Sequence, residues 1–123
     1  MTIIDAINGL DALKHNTYTQ SDKVGWLSRL DTMIKKHIID THEGAEDVIF
    51  NGYNDSTDIN TELLAPEPYD EMYLRWMEAQ IDYSNGEYNK YNNAIQMFNT
   101  SYESFNNYYN RNHMPKGKSF KYF

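Results

Sequence analysis

Apolar residues recur at helical spacing from the first residues of the chain. Thr2 and Asp5 form a T-x-x-D signature, which is typical of a helix N-terminus. The apolar residues that follow lie three or four positions apart and predict a first helix over about 3–13. Gly9 lies inside this segment and is unfavourable in a helix by about 1 kcal/mol. The apolar set is Ile3, Ile4, Ile7 and Leu10.

A longer apolar stripe begins after a second capping signature, Thr19 with Asp22, where Ser21 is a competing N-cap. Spacings of 3, 3, 4 and 4 residues predict a helix over about 21–42, with Gly44 as its stop. Basic residues near its C-terminal end complement the helix dipole. The stripe is Val24, Leu27, Leu30, Ile34 and Ile38, and the basic residues are Lys35, Lys36 and His37.

The helical period is lost between about 45 and 66. Val48 and Phe50 alternate with Ile49, Asn51-Gly52 is a turn signal, and turn formers follow. We predict a long excursion, either a loop or a short β-ribbon that pairs 47–51 with 61–65. Structureless loops longer than about 12–15 residues are usually functional or disordered. An excursion inside a small helical domain is therefore a candidate for a functional role.

A third helix is predicted after Pro66 and Pro68, and it ends near the sequence YSNGE. Ser84 and Glu87 form an S-x-x-E signature, and Gly86 favours a turn. These signals predict an antiparallel helical hairpin, and one continuous kinked helix is the alternative. The main stripe of the third helix is Tyr69, Tyr73, Trp76, Gln80 and Tyr83, and Met72 and Met77 widen it.

The fourth predicted helix carries an aromatic heptad seam with spacings of 3, 4, 3, 4, 3 and 4. It should end near Arg111 or Asn112, before Pro115. The chain is therefore predicted to be mainly α, a small bundle of about four helices in a single domain over 1–114. Residues 115–123 are predicted to form an extended basic and aromatic tail. The seam is Tyr88, Tyr91, Ile95, Phe98, Tyr102, Phe105 and Tyr109.

Charge is unevenly distributed along the chain. The formal net charge is -7, and the segment from Asp40 to Glu71 holds ten acidic residues but no lysine or arginine. The tail sequence KGKSFKYF holds three lysines and no acid. Phosphate contacts need clustered cations, so the acidic body argues against nucleic-acid binding. The chain lacks cysteine, which excludes disulfides, and it has neither a signal-peptide pattern nor a membrane-length apolar run.

Sequence patterns for catalysis or cofactor binding are not found. His37 and His42 lie five residues apart and outside any H-E-x-x-H motif. The segment NDSTDINTE has several oxygen ligands but lacks the spacing and central glycine of a calcium loop. Glycines form no phosphate-binding loop, and a nucleophile elbow is absent. We therefore expect no enzyme, no metal and no cofactor.

The aromatic residues are better explained by packing than by ligand binding. Base-stacking surfaces combine aromatics with a basic groove, whereas only Lys90 and Arg111 accompany the seam. Tyrosine is also enriched at protein interfaces, and asparagines off the seam offer hydrogen bonds without charge. The candidates for an oligomer or partner interface are Tyr69, Tyr73, Trp76, Asn92, Asn99, Asn106 and Asn110.

Two further segments are candidates for contacts. In the acidic excursion, Asp55, Asp58 and Glu62 are candidates for an external contact. In the tail, lysines alternate with aromatic residues, a pattern that can add to another chain as an extended arm; a disordered tail is the alternative. The tail candidates are Lys116, Lys118, Phe120, Lys121, Tyr122 and Phe123.

Four segments of the chain carry a family resemblance, and they span most of the sequence from Asp22 to Pro115. The segments are DKVGWLSRLD, HEGAEDVIFNGY, ELLAPEPYDEMYLRWMEAQIDYSNGEYNKYNNAIQMFN and YNRNHMP. Together they resemble a family of small proteins from tailed phages and prophages of Gram-positive bacteria, the head-tail connectors, also called adaptors or head-completion proteins.

The resemblance implies a helical subunit that closes into a ring, commonly of twelve copies, beneath the portal. In such a ring, the candidates of the acidic excursion would face the central channel or the next ring, and the tail candidates would dock on the portal. Its implied partners are its own copies, the portal protein and the stopper or tail-completion protein, and DNA passes through without specific binding. It implies a location in the virion neck after assembly in the bacterial cytoplasm, and it carries over no catalytic residues. Two alternatives stay open: an acidic regulator, such as an antitoxin or DNA mimic, and a different neck or tail-completion protein of similar build.

Overall fold

The computed structural model describes residues 1–116 and shows a mainly helical bundle of four α-helices. Two short 3₁₀ turns, Ile39–Thr41 and Ala45–Asp47, follow the second helix. The predicted fold class is therefore confirmed. The helices are α1 (Ile3–Leu13), α2 (Gln20–His37), α3 (Glu71–Ser84) and α4 (Tyr88–Asn112).

Both predicted capping boxes at the N-termini of α1 and α2 are formed. The Thr2 side chain accepts from the Asp5 amide, and the Asp5 carboxylate accepts from the Thr2 amide. Thr19 and Asp22 repeat the arrangement at α2, so Thr19 and not Ser21 is the N-cap. Each box satisfies backbone donors that the first helical turn leaves without partners.

The core lies between the inward faces of all four helices. Every residue of the predicted α1 and α2 stripes is buried except Ile4, which is partly exposed. Gly9 allows a close approach of α1 to α3, because a Cβ there would lie 3.0 Å from a Leu74 methyl group. Helix α2 ends at His37, earlier than predicted, and the chain tightens into the first 3₁₀ turn.

Helix α3 buries part of the predicted set, Met72, Tyr73 and Met77, and the rest of its buried residues lie outside that set. Its centre in the core is Tyr73, Met77 and Ile81, whereas Trp76 is partly exposed and Tyr83 is 60% exposed. The difference arises because α3 contacts α1 and α2 as well as α4. A single stripe of residues cannot describe a helix that packs against three neighbours.

Helices α3 and α4 form the predicted hairpin, and the continuous helix is excluded. Gly86 provides the turn with a φ of +74°, a conformation that favours glycine. The predicted capping box at this turn is absent: Ser84 is still part of α3, and Glu87 is the N-cap of α4 without a side-chain hydrogen bond. Helix α4 ends at Asn112, as predicted.

The predicted α4 seam is buried mainly in its C-terminal half. Phe98, Phe105 and Tyr109 are buried, but Tyr88 is 60% exposed. Aromatic rings fill the space between α3 and α4, with ring centroids 5.2 Å apart for Trp76 and Phe98. At the first turn of α4, the Tyr88 ring lies 5.8 Å from that of Tyr83, which is itself 60% exposed.

The excursion is a loop and not a β-ribbon, because no strand forms in the described part of the chain. Residues 59–63 pair instead with the start of α1. The Ile4 amide donates to the Ile59 carbonyl at 2.9 Å, and the Ile3 amide donates to the Thr61 carbonyl at 3.0 Å. First-turn amides of a helix have no intrahelical acceptor, so the loop completes α1.

Candidate interaction surfaces

A buried carboxylate fixes the excursion to the bundle. Asp31 of α2 is fully buried and accepts a hydrogen bond from the Tyr73 hydroxyl at 2.6 Å and another from the Tyr53 hydroxyl at 2.5 Å. The Leu64 amide donates to the same side chain at 3.1 Å. The Tyr73 hydroxyl in turn accepts from the Ala65 amide at 2.8 Å. Asp31 therefore holds the excursion in two places, at Tyr53 and at Leu64.

The electrostatics of this cluster keep both tyrosines protonated. Burial and the neighbouring Asp31 carboxylate raise the pKa of Tyr53 and of Tyr73. Burial also raises the pKa of Asp31 itself, although the hydrogen bonds from the two hydroxyls and from the Leu64 amide oppose the shift. The cluster is enclosed and serves to hold the loop in place.

Tyr73 is consequently wrong as an interface candidate, since it is 0% exposed and its hydroxyl is fully used inside the protein. Tyr69 and Trp76 are partly exposed at the edge of the α3–α4 contact. The Tyr69 ring lies 4.8 Å from that of Tyr108, and the Trp76 indole donates to the Trp26 carbonyl at 2.9 Å. Only the outer edges of these two rings are available to a partner.

The asparagine candidates lie along one exposed stripe of α4. Asn92 and Asn99 are exposed, and Asn106 is partly exposed. Asn110 is exposed overall, but its side-chain oxygen lies 2.6 Å from Nε2 of the buried His42. Asn110 therefore links α4 to the end of α2 and is less available for an external contact.

The outer surface of α4 is unusually poor in charge. Between Tyr91 and Asn110, Glu103 is the single charged residue, although 24% of the whole chain is charged. Protein interfaces are depleted of charge at their centres. We call this surface, with Asn92, Asn99 and Asn106 along it, the α4 face.

Sequence reasoning missed the aromatic tip of the hairpin. Tyr83 and Tyr88 are each 60% exposed, and their ring centroids lie 5.8 Å apart. Their spacing predicts both as members of buried stripes. Spacing does not show which part of a helix another element covers, so the sequence does not indicate that these two rings are exposed.

The loop places its acidic candidates at the surface. Asp55 and Asp58 are exposed, and the Asp58 carboxylate accepts from the Asn60 amide at 2.9 Å. Glu62 is exposed and lies 3.2 Å from the N-terminal amine. We call residues 54–62 the acidic loop.

The alternation of covered and exposed side chains at the start of the excursion is present, although these residues form no strand. Ile49 is 84% exposed, whereas Val48 and Phe50 are partly buried. Ile49 is thus a large apolar side chain that the protomer does not cover.

The first residues of the tail pack against the segment that follows α2, at the first 3₁₀ turn. The Glu43 amide donates to the Met114 carbonyl at 2.8 Å, and the Lys116 amide donates to the Thr41 carbonyl at 2.9 Å. The Lys116 side chain is exposed. The remaining tail candidates lie outside the described residues; they are Lys118, Phe120, Lys121, Tyr122 and Phe123.

Within residues 1–116, no three histidine, aspartate or glutamate side chains group closely enough to hold a metal ion. In the same residues, no helix has the length and hydropathy needed to cross a bilayer. Comparison with protein-family models, with curated proteins and with solved structures finds no match for this chain.

Proposed function

We propose that the chain is a structural subunit of the neck of a tailed phage or prophage, a head-tail connector. In this proposal, copies of the chain form a ring between the portal and the stopper or tail, and DNA passes through the ring without being bound specifically. The observation that carries the proposal is the combined resemblance of segments between Asp22 and Pro115 to connector proteins of Gram-positive phages.

The distribution of exposed apolar residues supports this function. Subunits of a ring contact each other through two different surfaces, because the contacts are head-to-tail. Tyr83 and Tyr88 are exposed at the hairpin tip, whereas Met114 is 53% exposed just beyond the other end of α4. A helix of 25 residues is about 37 Å long. A single protomer therefore presents uncovered apolar groups at widely separated places.

The charge of the loop also agrees with passage of DNA. Asp55 and Asp58 are exposed and have no cation within ion-pair distance in the described residues. Exposed carboxylates repel phosphates, whereas cations attract them. The loop is one part of the segment from Asp40 to Glu71, which holds ten acidic residues and no lysine or arginine. A channel lined by other acids of this segment would let a duplex slide even where Asp55 and Asp58 contact another subunit.

Electron microscopy of virions labelled with an antibody against this chain tests the proposal. We expect the label at the head-tail junction and, in averaged images, a ring next to the portal. A ring lower in the neck or tail would favour a different completion protein. Absence from the virion, together with salt-sensitive binding to a basic protein, would contradict the proposal and favour the acidic regulator.

A further inference from the structure

Helix α2 carries an exposed basic face on an acidic molecule. Arg29, Thr32 and Lys36 are exposed and lie at i, i+3 and i+7, so they share one face of the helix. Neither Arg29 nor Lys36 forms an ion pair with any residue in 1–116. Lys35 lies beside them and pairs with Asp40. The three cations and one acid leave a local excess of positive charge, although the chain has a net charge of -7.

This face borders a groove that contains one aromatic side chain, Phe50. The groove has a volume of about 380 Å³, and its one carboxylate, Asp40, is paired with Lys35. Its lining residues are Thr32, Lys35, Lys36, Asp40, Phe50, Asn51 and Gly52. Next to Phe50, Ile49 is 84% exposed. We call the groove with its basic rim, Arg29 and Lys36, the α2 groove. A matching occupant would carry acidic groups and at least one apolar side chain.

The acidic loop of the same chain has this combination. Asp55 and Asp58 are exposed, and Ile59, directly after Asp58, is 36% exposed. The loop lies against the N-terminal half of α2, where Asp55 and Ile59 line a small cleft with Val24. The loop therefore borders the N-terminal half of α2, whereas the groove borders its C-terminal half.

Within one protomer the two features are separated along α2. Val24 and Lys36 are twelve residues apart, which corresponds to about 18 Å of helix. The loop is also held in place by Tyr53, whose hydroxyl donates to Asp31 and whose amide donates to Ser28. Each copy therefore presents acidic groups near the N-terminal half of α2 and basic groups on its C-terminal half. When two copies are placed head-to-tail, the acidic groups of one copy lie against the basic groups of the next.

Gly25 is consistent with a close approach of another chain to α2. It is exposed in the interior of the helix, where glycine is unfavourable by about 1 kcal/mol. A Cβ at this position would meet no atom within 4 Å, so packing inside the protomer does not require glycine.

We propose that the α2 groove of one copy binds the acidic loop of the next copy, and that this is the head-to-tail contact of the assembly. Arg29 and Lys36 contact Asp55 and Asp58, and Ile59 packs near Phe50 and Ile49. The inference rests on the proposed ring, since it names the surfaces that join its subunits. The α4 face is then left for a different partner.

Charge-reversed variants of the full chain test this contact. The groove variant is Arg29→Glu with Lys36→Glu, and the loop variant is Asp55→Lys with Asp58→Asn, where asparagine keeps the oxygen that accepts from the Asn60 amide. We expect each variant alone to self-associate at least about ten-fold more weakly than the wild type in sedimentation velocity. An equimolar mixture of the two should recover association, because every contact then joins opposite charges.

A control variant separates this contact from the effect of net charge. Lys90→Glu with Arg111→Glu changes the charge by the same amount as the groove variant, but on α4. We expect it to associate like the wild type. Circular dichroism checks that all variants remain folded. Equal weakening by the control, or a mixture that fails to recover, would overturn the inference.

Cross-linking extends the test to weak association. A zero-length carbodiimide is applied to mixed ¹⁴N- and ¹⁵N-labelled wild-type chains, and we expect Lys36 joined to Asp55 or Asp58 in mixed-isotope peptides. If no such peptide forms at any concentration, the inference is overturned. If virions show the ring but these substitutions leave its assembly intact, the inference fails while the proposed function stands.

Discussion

At the scale of single residues, the Asp31 cluster explains how an acidic loop is held on an apolar bundle. A buried carboxylate is unfavourable unless hydrogen bonds compensate for lost hydration. Asp31 receives three of them, and two come from tyrosines that are themselves mostly buried. Removing one partner leaves another polar group buried without a hydrogen bond.

Tyr73→Phe should therefore destabilise the protein by about 1–3 kcal/mol, because the Ala65 amide loses its acceptor and Asp31 loses a donor. Urea denaturation measures the free energy of unfolding. The matched control is Tyr88→Phe, which removes an exposed hydroxyl and should change stability by less than about 0.5 kcal/mol. Equal effects of the two substitutions would contradict the role given to the cluster.

The pH dependence of stability tests the state of Asp31. Because burial raises the folded pKa above the ordinary value of 3.8, folding favours the protonated acid. This contribution to stability is fully present below pH 3.8 and is lost as pH rises through the raised pKa. The destabilisation caused by Asp31→Asn should therefore shrink as pH increases from 3.8. A difference that grows with pH would show that the ionised form is favoured.

At the scale of elements, two helical glycines have opposite surroundings. Gly9 lies where α1 approaches α3, and a Cβ there would meet a Leu74 methyl at 3.0 Å. Gly25 lies on the exposed side of α2 with open space around it. Both lower the helix propensity, but only one is needed for packing inside the protomer.

Gly25→Ala should stabilise the isolated protomer by about 0.5–1 kcal/mol, because alanine is the better helix former. Gly9→Ala should give a smaller gain or a loss, since Leu74 must move. Thermal unfolding of the two variants, compared at a concentration where the chain is monomeric, measures the difference. A larger gain at Gly9 would contradict the close packing of α1 on α3.

Much of the element order could be predicted from the sequence, because capping residues and helical spacing act locally. Thr2 and Thr19 identify two helix starts, and Gly86 identifies the hairpin turn. The loop could not be predicted in the same way. Residues 59–63 pair with the start of α1, more than fifty positions earlier in the chain, and nothing in their local pattern distinguishes this contact from a β-ribbon.

At the scale of the whole molecule, Met114 and Lys116 are bonded through their backbones to the segment that follows α2. The tail candidates follow directly after this contact. A structural role of residues 114–116 and a partner-binding role of the later residues can therefore be separated by truncation.

A chain truncated after Lys116 should keep the stability of the full protein, because both backbone hydrogen bonds remain. A chain truncated after His113 loses them and should be less stable by about 1–3 kcal/mol. Urea denaturation measures the stability, and pull-down with the portal protein measures partner binding. If the chain truncated after Lys116 binds the portal as well as the full chain does, the predicted docking role of the removed tail candidates is contradicted. Those candidates are Lys118, Phe120, Lys121, Tyr122 and Phe123.

The sequence by itself determined the helical class, the helix starts and the separation of charge, since these depend on neighbouring residues and on composition. Tertiary structure decided which stripe residues are buried. Tyr73 and Tyr83 share a predicted stripe, yet Tyr73 is enclosed beside Asp31 and Tyr83 is exposed beyond the cover of other helices. It also placed the acidic loop beside the N-terminal half of α2 and the basic face on its C-terminal half. The physical reason is that exposure depends on where distant elements begin and end.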